Sequence, residues 1–180
     1  MTTEEQILSA AARLLEKGGV EAVTTRAVCQ AAGVTAPTLY HHFGDKDGLL
    51  RAVVDRGVNT FMAQNRANRQ TADAMADLRR GWDGWIAFAL ERPKLFRLMI
   101  ESTRSDPSAS QEAFIIMRAI IERLATEGRL KAEVDTAATT LWAASNGILA
   151  LFTQGTPVDE IKSSSELLFD ALIAKLVRPK

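Results

Sequence analysis

Histidine, cysteine, tyrosine and proline are all scarce in this chain: two, one, one and five among 180 residues. A single cysteine, Cys29, forbids an intrachain disulfide and removes the thiolates from which most structural zinc sites are built. The two histidines, His41 and His42, are neighbours, and neighbours on a helix do not converge on one ion, so neither a metal nor any other cofactor is expected. The chain also has no Glu-x-x-His pair, no Gly-rich phosphate loop and no nucleophile with a plausible base partner, which argues against an enzyme. Net charge is missing as well, with 22 Lys plus Arg against 22 Asp plus Glu. No apolar run approaches the ~20 residues that cross a bilayer, and the opening Met1-Thr2-Thr3-Glu4-Glu5-Gln6 is polar and acidic. A cytoplasmic protein without a signal peptide or a membrane partner is therefore expected.

What is present is ordinary globular composition, 47% apolar and 24% charged, enough for one large domain or two small ones. Apolar residues recur at intervals of three and four, and no alternating β-branched stretch stands out, so the chain reads as all-α with about nine helices. A first helix is predicted from Thr3, with Thr3-Glu4-Glu5-Gln6 as a capping box, ending at Gly18-Gly19. Thr24 is placed to cap a second helix that turns Ala27, Val28, Ala31 and Ala32 inward. Gly33 breaks it, Thr35 caps a short third helix that tolerates Pro37 in its first turn, and Gly44 ends that one. Asp45 caps a fourth helix running towards Gln70. Further helices are expected from about Asp73 to Arg92, from Lys94 to about Glu101, from a Ser110 cap to Gly128, from an Asp135 cap to Gly155, and after Pro157. Ser102 to Ser110 is the clearest loop. The pattern divides into residues 1–50, a three-helix unit expected on the grounds below to bind DNA, and 51–180, a helical region to which the resemblance given below assigns ligand binding and dimerisation.

The turn between the second and third helices carries the chemistry. Gly33 suits the left-handed backbone of a tight interhelical turn, and Val34 can fill the space beneath it. The third helix then opens with thin side chains, Thr35, Ala36, Pro37 and Thr38, suited to entering a major groove about 12 Å wide. Hydroxyls there can bond base edges or phosphates, and a small apolar group can meet a thymine methyl. Around them stand candidate phosphate contacts: Thr24 and Thr25 at the start of the second helix, where the dipole favours an anion, with Arg26, Tyr40, His42 and Lys46. His41 faces another way and stays undecided between surface and DNA. The first 56 residues carry six cations (Arg13, Lys17, Arg26, Lys46, Arg51, Arg56) and seven acids (Glu4, Glu5, Glu16, Glu21, Asp45, Asp47, Asp55). Affinity for DNA must then come from charge placement, with a modest dependence on salt.

Thr24-Thr25-Arg26-Ala27-Val28, Ala32-Gly33-Val34-Thr35, Thr38-Leu39-Tyr40-His41-His42-Phe43 and Lys46-Asp47-Gly48-Leu49-Leu50 together resemble the TetR family of repressors over roughly residues 5 to 54. The resemblance implies backbone contacts from Thr24, Thr25 and Arg26, a groove-reading start at Thr35, Ala36, Pro37 and Thr38, and phosphate anchors at Tyr40, His42 and Lys46. Leu39 and Phe43 match the family's core positions. Cys29 stands where the family usually has alanine, and it reads as a small buried hydrophobe or a thiol open to oxidation. Trp85-Ile86-Ala87-Phe88-Ala89, Arg92-Pro93-Lys94-Leu95-Phe96-Arg97-Leu98-Met99 and Leu141-Trp142-Ala143-Ala144-Ser145-Asn146-Gly147 resemble the WHG-like subgroup of the family's C-terminal domains, with Asn146 where that subgroup usually has histidine. This implies a homodimer through the last two long helices and a cavity among the middle ones.

Candidate cavity residues are Trp82, Trp85, Phe88, Phe96, Met99, Phe114, Met117 and Trp142, each of which is equally readable as plain core. Glu101, Arg104 and Asn146 could add polar groups. The expected partners are thus double-stranded DNA, a second copy of the chain and an unidentified small, apolar effector that releases a palindromic operator. The rival reading is a small all-α enzyme or carrier that uses the aromatic cavity.

Overall fold

The computed structural model describes residues 1–67, 71–102 and 108–179, and of residues 64–67, 102 and 108–110 the backbone alone. Nine α-helices are found among them: α1 (Thr3–Gly18), α2 (Thr25–Ala32), α3 (Ala36–Phe43), α4 (Lys46–Ala67), α5 (Ala74–Glu91), α6 (Pro93–Ser102), α7 (Ser108–Thr126), α8 (Val134–Thr153) and α9 (Val158–Leu176). A 3-10 turn, Val20–Ala22, joins α1 to α2. The extended pairing among the described residues is one isolated antiparallel bridge, Leu130 with Val177. No helix of the described residues is long and apolar enough to cross a membrane, and no cluster of three or more His, Cys, Asp or Glu there could hold a metal.

The chain forms two compact units, residues 1–63 with 92–109 and residues 64–91 with 110–180. A cut after residue 50 would instead run through α4. The physical reason is that Val53, Val54, Val58, Phe61 and Met62, all beyond residue 50, are buried on α4, and that α6 packs on α1.

In the first unit, Ile7, Ala10, Ala11 and Leu15 of α1 are sealed from solvent, as are Val28 of α2 and Leu39 of α3. On α1, Ile7, Ala11 and Leu15 follow one another at steps of four and Ala10 lies three after Ile7, which is how a helix presents one apolar stripe. Arg56 of α4 reaches α1, donating to Glu5 O at 3.1 Å and to Ser9 Oγ at 2.8 Å. Leu95, Phe96 and Met99 put the inner face of α6 into the same unit's core.

In the second unit, α8 packs along α9 and α5 lies against both. Trp82 Nε1 donates to Ser165 Oγ at 2.8 Å in the interior, and its ring lies 5.3 Å from that of Phe169. The buried Asp77 carboxylate accepts from Thr71 N (3.0 Å), Thr71 Oγ1 (2.9 Å), Arg123 Nη1 (2.6 Å) and Arg80 Nη2. Burial pushes the carboxyl up. The hydrogen bonds from Arg123 and Thr71, with the charge of Arg123, outweigh it and hold the group below the ordinary aspartate value.

Several helix ends differ from the sequence expectation. The capping box of α1 uses Thr2 and Glu5, one residue earlier than predicted: Thr2 N donates to Glu5 Oε2 (2.7 Å) and Glu5 N to Thr2 Oγ1 (3.2 Å). Thr2 with Glu5 and Thr3 with Gln6 both fit a capping box, and the helix start selects the outer pair. α7 begins at Ser108, so Ser110 lies inside the helix and not at its cap. α8 begins after Glu133, and Asp135 inside its first turn bonds Arg118 Nε at 2.7 Å. Residues 103–107 of the expected loop, Arg104 among them, and residues 68–70 lie outside the described residues.

Candidate nucleic-acid interface

The α2–α3 turn is built as its residues dictate. Thr24 caps α2 through its hydroxyl, which accepts from Ala27 N at 3.2 Å. Gly33 adopts φ 68°, and Val34 N donates back to Cys29 O at 3.1 Å. That 6→1 bond across a left-handed residue is the Schellman closure, which only glycine enters without strain. Val28 is buried beneath the turn, with Ala27 and Ala32 half-buried, but Ala31 is exposed, against expectation. Eight residues make little more than two turns, too few to bury four positions. Cys29 is a free, half-buried thiol.

Helix α3 starts at Ala36 with Thr35 at the N-cap position and Pro37 in the first turn. The Thr35 hydroxyl does not cap the helix; it pairs with Thr38 Oγ1 at 2.9 Å. That pair leaves two hydroxyls side by side at the start of the helix, where groove-reading groups sit in helix-turn-helix proteins. Ala36 and Thr38 are half-buried and Thr35 and Pro37 exposed, so the opening turn is slim. Leu39 is 1% exposed and Phe43 half-buried, which fixes α3 in the unit's core.

Tyr40 is 47% exposed, and its hydroxyl lies 3.3 Å from Thr25 Oγ1. This contact joins the first turn of α2 to the recognition helix and sets two hydroxyls beside the free amides that open α2. Arg26 is exposed next to them. His41 and His42 are both exposed, with ring centroids 5.5 Å apart, and His42 lies 6.0 Å from Phe43. Lys46, half-buried, opens α4. Thr24, Thr25, Arg26, Thr35, Ala36, Pro37, Thr38, Tyr40, His42 and Lys46 thus all sit on α2, on α3 or at the start of α4.

Asp45 caps α4 as its sequence position predicts, whereas sequence reasoning passed over the role of Gly48 in holding this surface. Asp45 Oδ1 accepts from Gly48 N at 2.6 Å, and a Cβ on Gly48 would lie 2.1 Å from Phe43 O. α3 therefore ends directly against the first turn of α4, and Gly48 is what permits it. A glycine in a helix interior costs about 1 kcal/mol relative to alanine, so its presence there was the available signal.

The aromatic residues read as possible cavity lining fall into separate groups. Phe96 and Met99 belong to the first unit's core. In the second unit, Trp85 stacks on Phe88 (6.0 Å) and on Trp142 (5.8 Å), and Phe114 meets Trp142 edge-on at 5.8 Å. Trp85 and Phe88 are buried, whereas Phe114, Met117 and Trp142 are half-buried. Asn146 Nδ2 donates to Trp142 O at 2.8 Å, so its amide is turned along its own helix. Trp82 is committed to Ser165 and Phe169 instead. Glu101 is exposed.

Residues 7–53 match the family model described as "Bacterial regulatory proteins, tetR family", and residues 78–176 match "Tetracyclin repressor-like, C-terminal domain". The chain is 26% identical to the HTH-type transcriptional repressor AcnR of Corynebacterium diphtheriae over 179 residues, covering 93% of this chain and 90% of that one. It is 37% identical to the HTH-type transcriptional repressor ComR of Escherichia coli over 75 residues, which is 39% of this chain and only 36% of ComR. Among solved structures, a TetR transcription regulator of Haloarcula marismortui has the same fold, with a TM-score of 0.85, 17% identity and 98% of both chains covered. The relatives are transcriptional regulators, so the enzyme reading falls. Two matched models spanning most of the chain, over a helix-turn-helix with the geometry described, establish that it belongs to the TetR family of bacterial regulatory proteins.

Proposed function

We propose that the chain is a one-component repressor that binds a palindromic operator as a homodimer and is released by a small apolar molecule. The observation that carries this reading is the α2–α3 surface. The hydroxyl pair Thr35–Thr38 lies at the slim start of α3, and the Thr25–Tyr40 pair lies at the start of α2. The first suits base edges and the second suits phosphate. Arg26, His42 and Lys46 add cationic or proton-donating contacts to the backbone. Two recognition helices about 34 Å apart would enter successive major grooves.

The outward face of α8 supports a second copy as partner. Thr136, Thr139, Ala143, Gly147, Ala150 and Leu151 are exposed at helical spacing, and on α9 Leu167 is 74% exposed with Ala171 and Ala174 beside it. Small residues on one helix and a projecting leucine on the next suit a four-helix interface. The effector would sit at the half-buried aromatic group of the second unit, on Phe114, Met117 and Trp142 backed by Trp85 and Phe88, with Asn146 as the polar neighbour. Ligand binding need shift the DNA-competent state by only ~1–3 kcal/mol to change occupancy several-fold.

A mobility-shift titration against duplex DNA from upstream of the protein's own gene, with non-specific competitor at low salt, tests this reading. Wild type is expected to retard that DNA selectively, and Tyr40→Ala to bind it at least about tenfold more weakly, the worth of one charge-assisted bond. No selective retardation by wild type, or an unaffected Tyr40→Ala variant, would refute it.

A further inference from the structure

Helix α3, Ala36-Pro37-Thr38-Leu39-Tyr40-His41-His42-Phe43, contains no arginine, lysine, asparagine or glutamine. Those four side chains make the paired hydrogen bonds that pick out guanine or adenine on the major-groove edge. Arg26 and Gln30 are exposed on α2, but in a helix-turn-helix that helix crosses the sugar–phosphate backbone while the next one enters the groove.

The hydroxyls at the start of α3 are partly engaged with each other. Thr35 Oγ1 and Thr38 Oγ1 lie 2.9 Å apart, so one of their two protons is held within the pair and one donor is left for a base edge. Leu39 is 1% exposed, and the Tyr40 hydroxyl is at Thr25 of α2, 3.3 Å from its Oγ1. What the N-cap and first turn offer instead is carbon: the methyl groups of Thr35, Ala36 and Thr38 and the ring of Pro37. Thr35 and Pro37 are exposed, and Ala36 and Thr38 are half-buried. The one apolar group that a base presents in the major groove is the C5-methyl of thymine.

We propose that the start of α3 selects its operator through thymine methyl groups, with Thr35 and Pro37 as the specificity-determining residues whose apolar atoms favour T·A pairs. This deepens the repressor reading and rests on it. Burying one methyl group is worth about a fourfold preference for thymine over uracil. A two-fold complex repeats each contact in both half-sites, so the whole operator should show a preference of about tenfold or more. The competing source of base selection is the exposed pair His41 and His42 in the last turn of α3, whose ring N–H groups would donate to the N7 atom of guanine.

The test is a mobility-shift titration of the full-length chain on the duplex from upstream of its own gene, synthesised in three forms. One carries thymine, one uracil at every thymine position, and one 7-deazaguanine at every guanine position. Uracil removes the C5-methyl alone, and 7-deazaguanine removes the N7 acceptor. Wild type is expected to bind the uracil duplex about tenfold more weakly than the thymine duplex, and the deaza duplex within about twofold of it. Thr35→Ser/Pro37→Ala removes the exposed apolar atoms and keeps both hydroxyls, so its preference for thymine should fall to about twofold or less. Equal affinity of wild type for the thymine and uracil duplexes, or a larger loss on the deaza duplex than on the uracil one, would overturn the proposal. A full thymine preference in Thr35→Ser/Pro37→Ala would overturn the assignment to those two residues. Selective retardation of the upstream duplex without a thymine preference would leave the repressor reading standing, whereas no selective retardation of the thymine duplex would overturn both.

Discussion

Replacing Gly48 with alanine tests how the recognition helix is held. The new Cβ would lie 2.1 Å from Phe43 O, 3.2 Å from Phe43 C and 3.3 Å from Asp45 Oδ1. An ordinary close C···O approach is about 3.3 Å, so α3 and α4 must part by about 1.2 Å where backbone meets backbone and no side chain can swing aside. Overpacking of that kind costs about 1–3 kcal/mol. The shift also stretches the Asp45–Gly48 capping bond, worth about 1 kcal/mol. Alanine returns about 1 kcal/mol through its better helix propensity. The net expectation is a loss of roughly 1–3 kcal/mol, which for a chain of this size lowers Tm by roughly 3–10 °C. Thermal unfolding followed by circular dichroism measures it, and the upstream duplex should bind more weakly in parallel because α3 ends at Phe43. A Gly48→Ala variant with unchanged or raised Tm would refute the close approach of α3 to α4 as the source of its position.

Two other predictions follow from the second unit. Asp77 has its folded pKa lowered, so it stabilises the fold above the unfolded aspartate value near 3.9, and that contribution drains away as pH falls through the folded pKa. Asp77→Asn should therefore lower stability at pH 7 by about 2–3 kcal/mol in urea unfolding and flatten the acid limb of the stability profile; an unchanged acid limb would contradict the bonding described. A Cβ on Gly147 meets nothing within 4 Å in the protomer, so Gly147→Leu should leave the monomer folded while blocking close approach of a second copy. Light scattering should then show monomer for Gly147→Leu and for Leu167→Glu, and a persistent dimer in both would move the interface elsewhere.

The helical plan was legible because each helix carries its own period and punctuation. Gly33, Gly44 and Thr24 mark ends by backbone chemistry that does not depend on the rest of the chain. The helix-turn-helix that holds the candidate DNA contacts was legible for the same reason, since Thr24 to Lys46 is one short local unit. What sequence could not show is long-range. The Glu16–Leu95 bond spans 79 residues and Arg123–Asp77 spans 46, and neither has a spacing signal. The place of α6 in the first unit follows from contacts such as Glu16–Leu95, so a cut placed by pattern at residue 50 could not include it. The aromatic residues illustrate the same limit. Trp82, Trp85 and Phe88 share one helix and one composition, yet Trp82 is turned to Ser165 and Phe169 while Trp85 stacks on Trp142.

The central claim is that α3 reads DNA as one of a symmetric pair. Hydroxyl-radical footprinting of the wild-type protein on DNA upstream of its own gene tests it most directly. The account predicts two protected half-sites of inverted sequence, with centres about one helical turn or a whole multiple of it apart, both lost in Tyr40→Ala. Protection without inverted symmetry, or a pattern that Tyr40→Ala leaves intact, would contradict it.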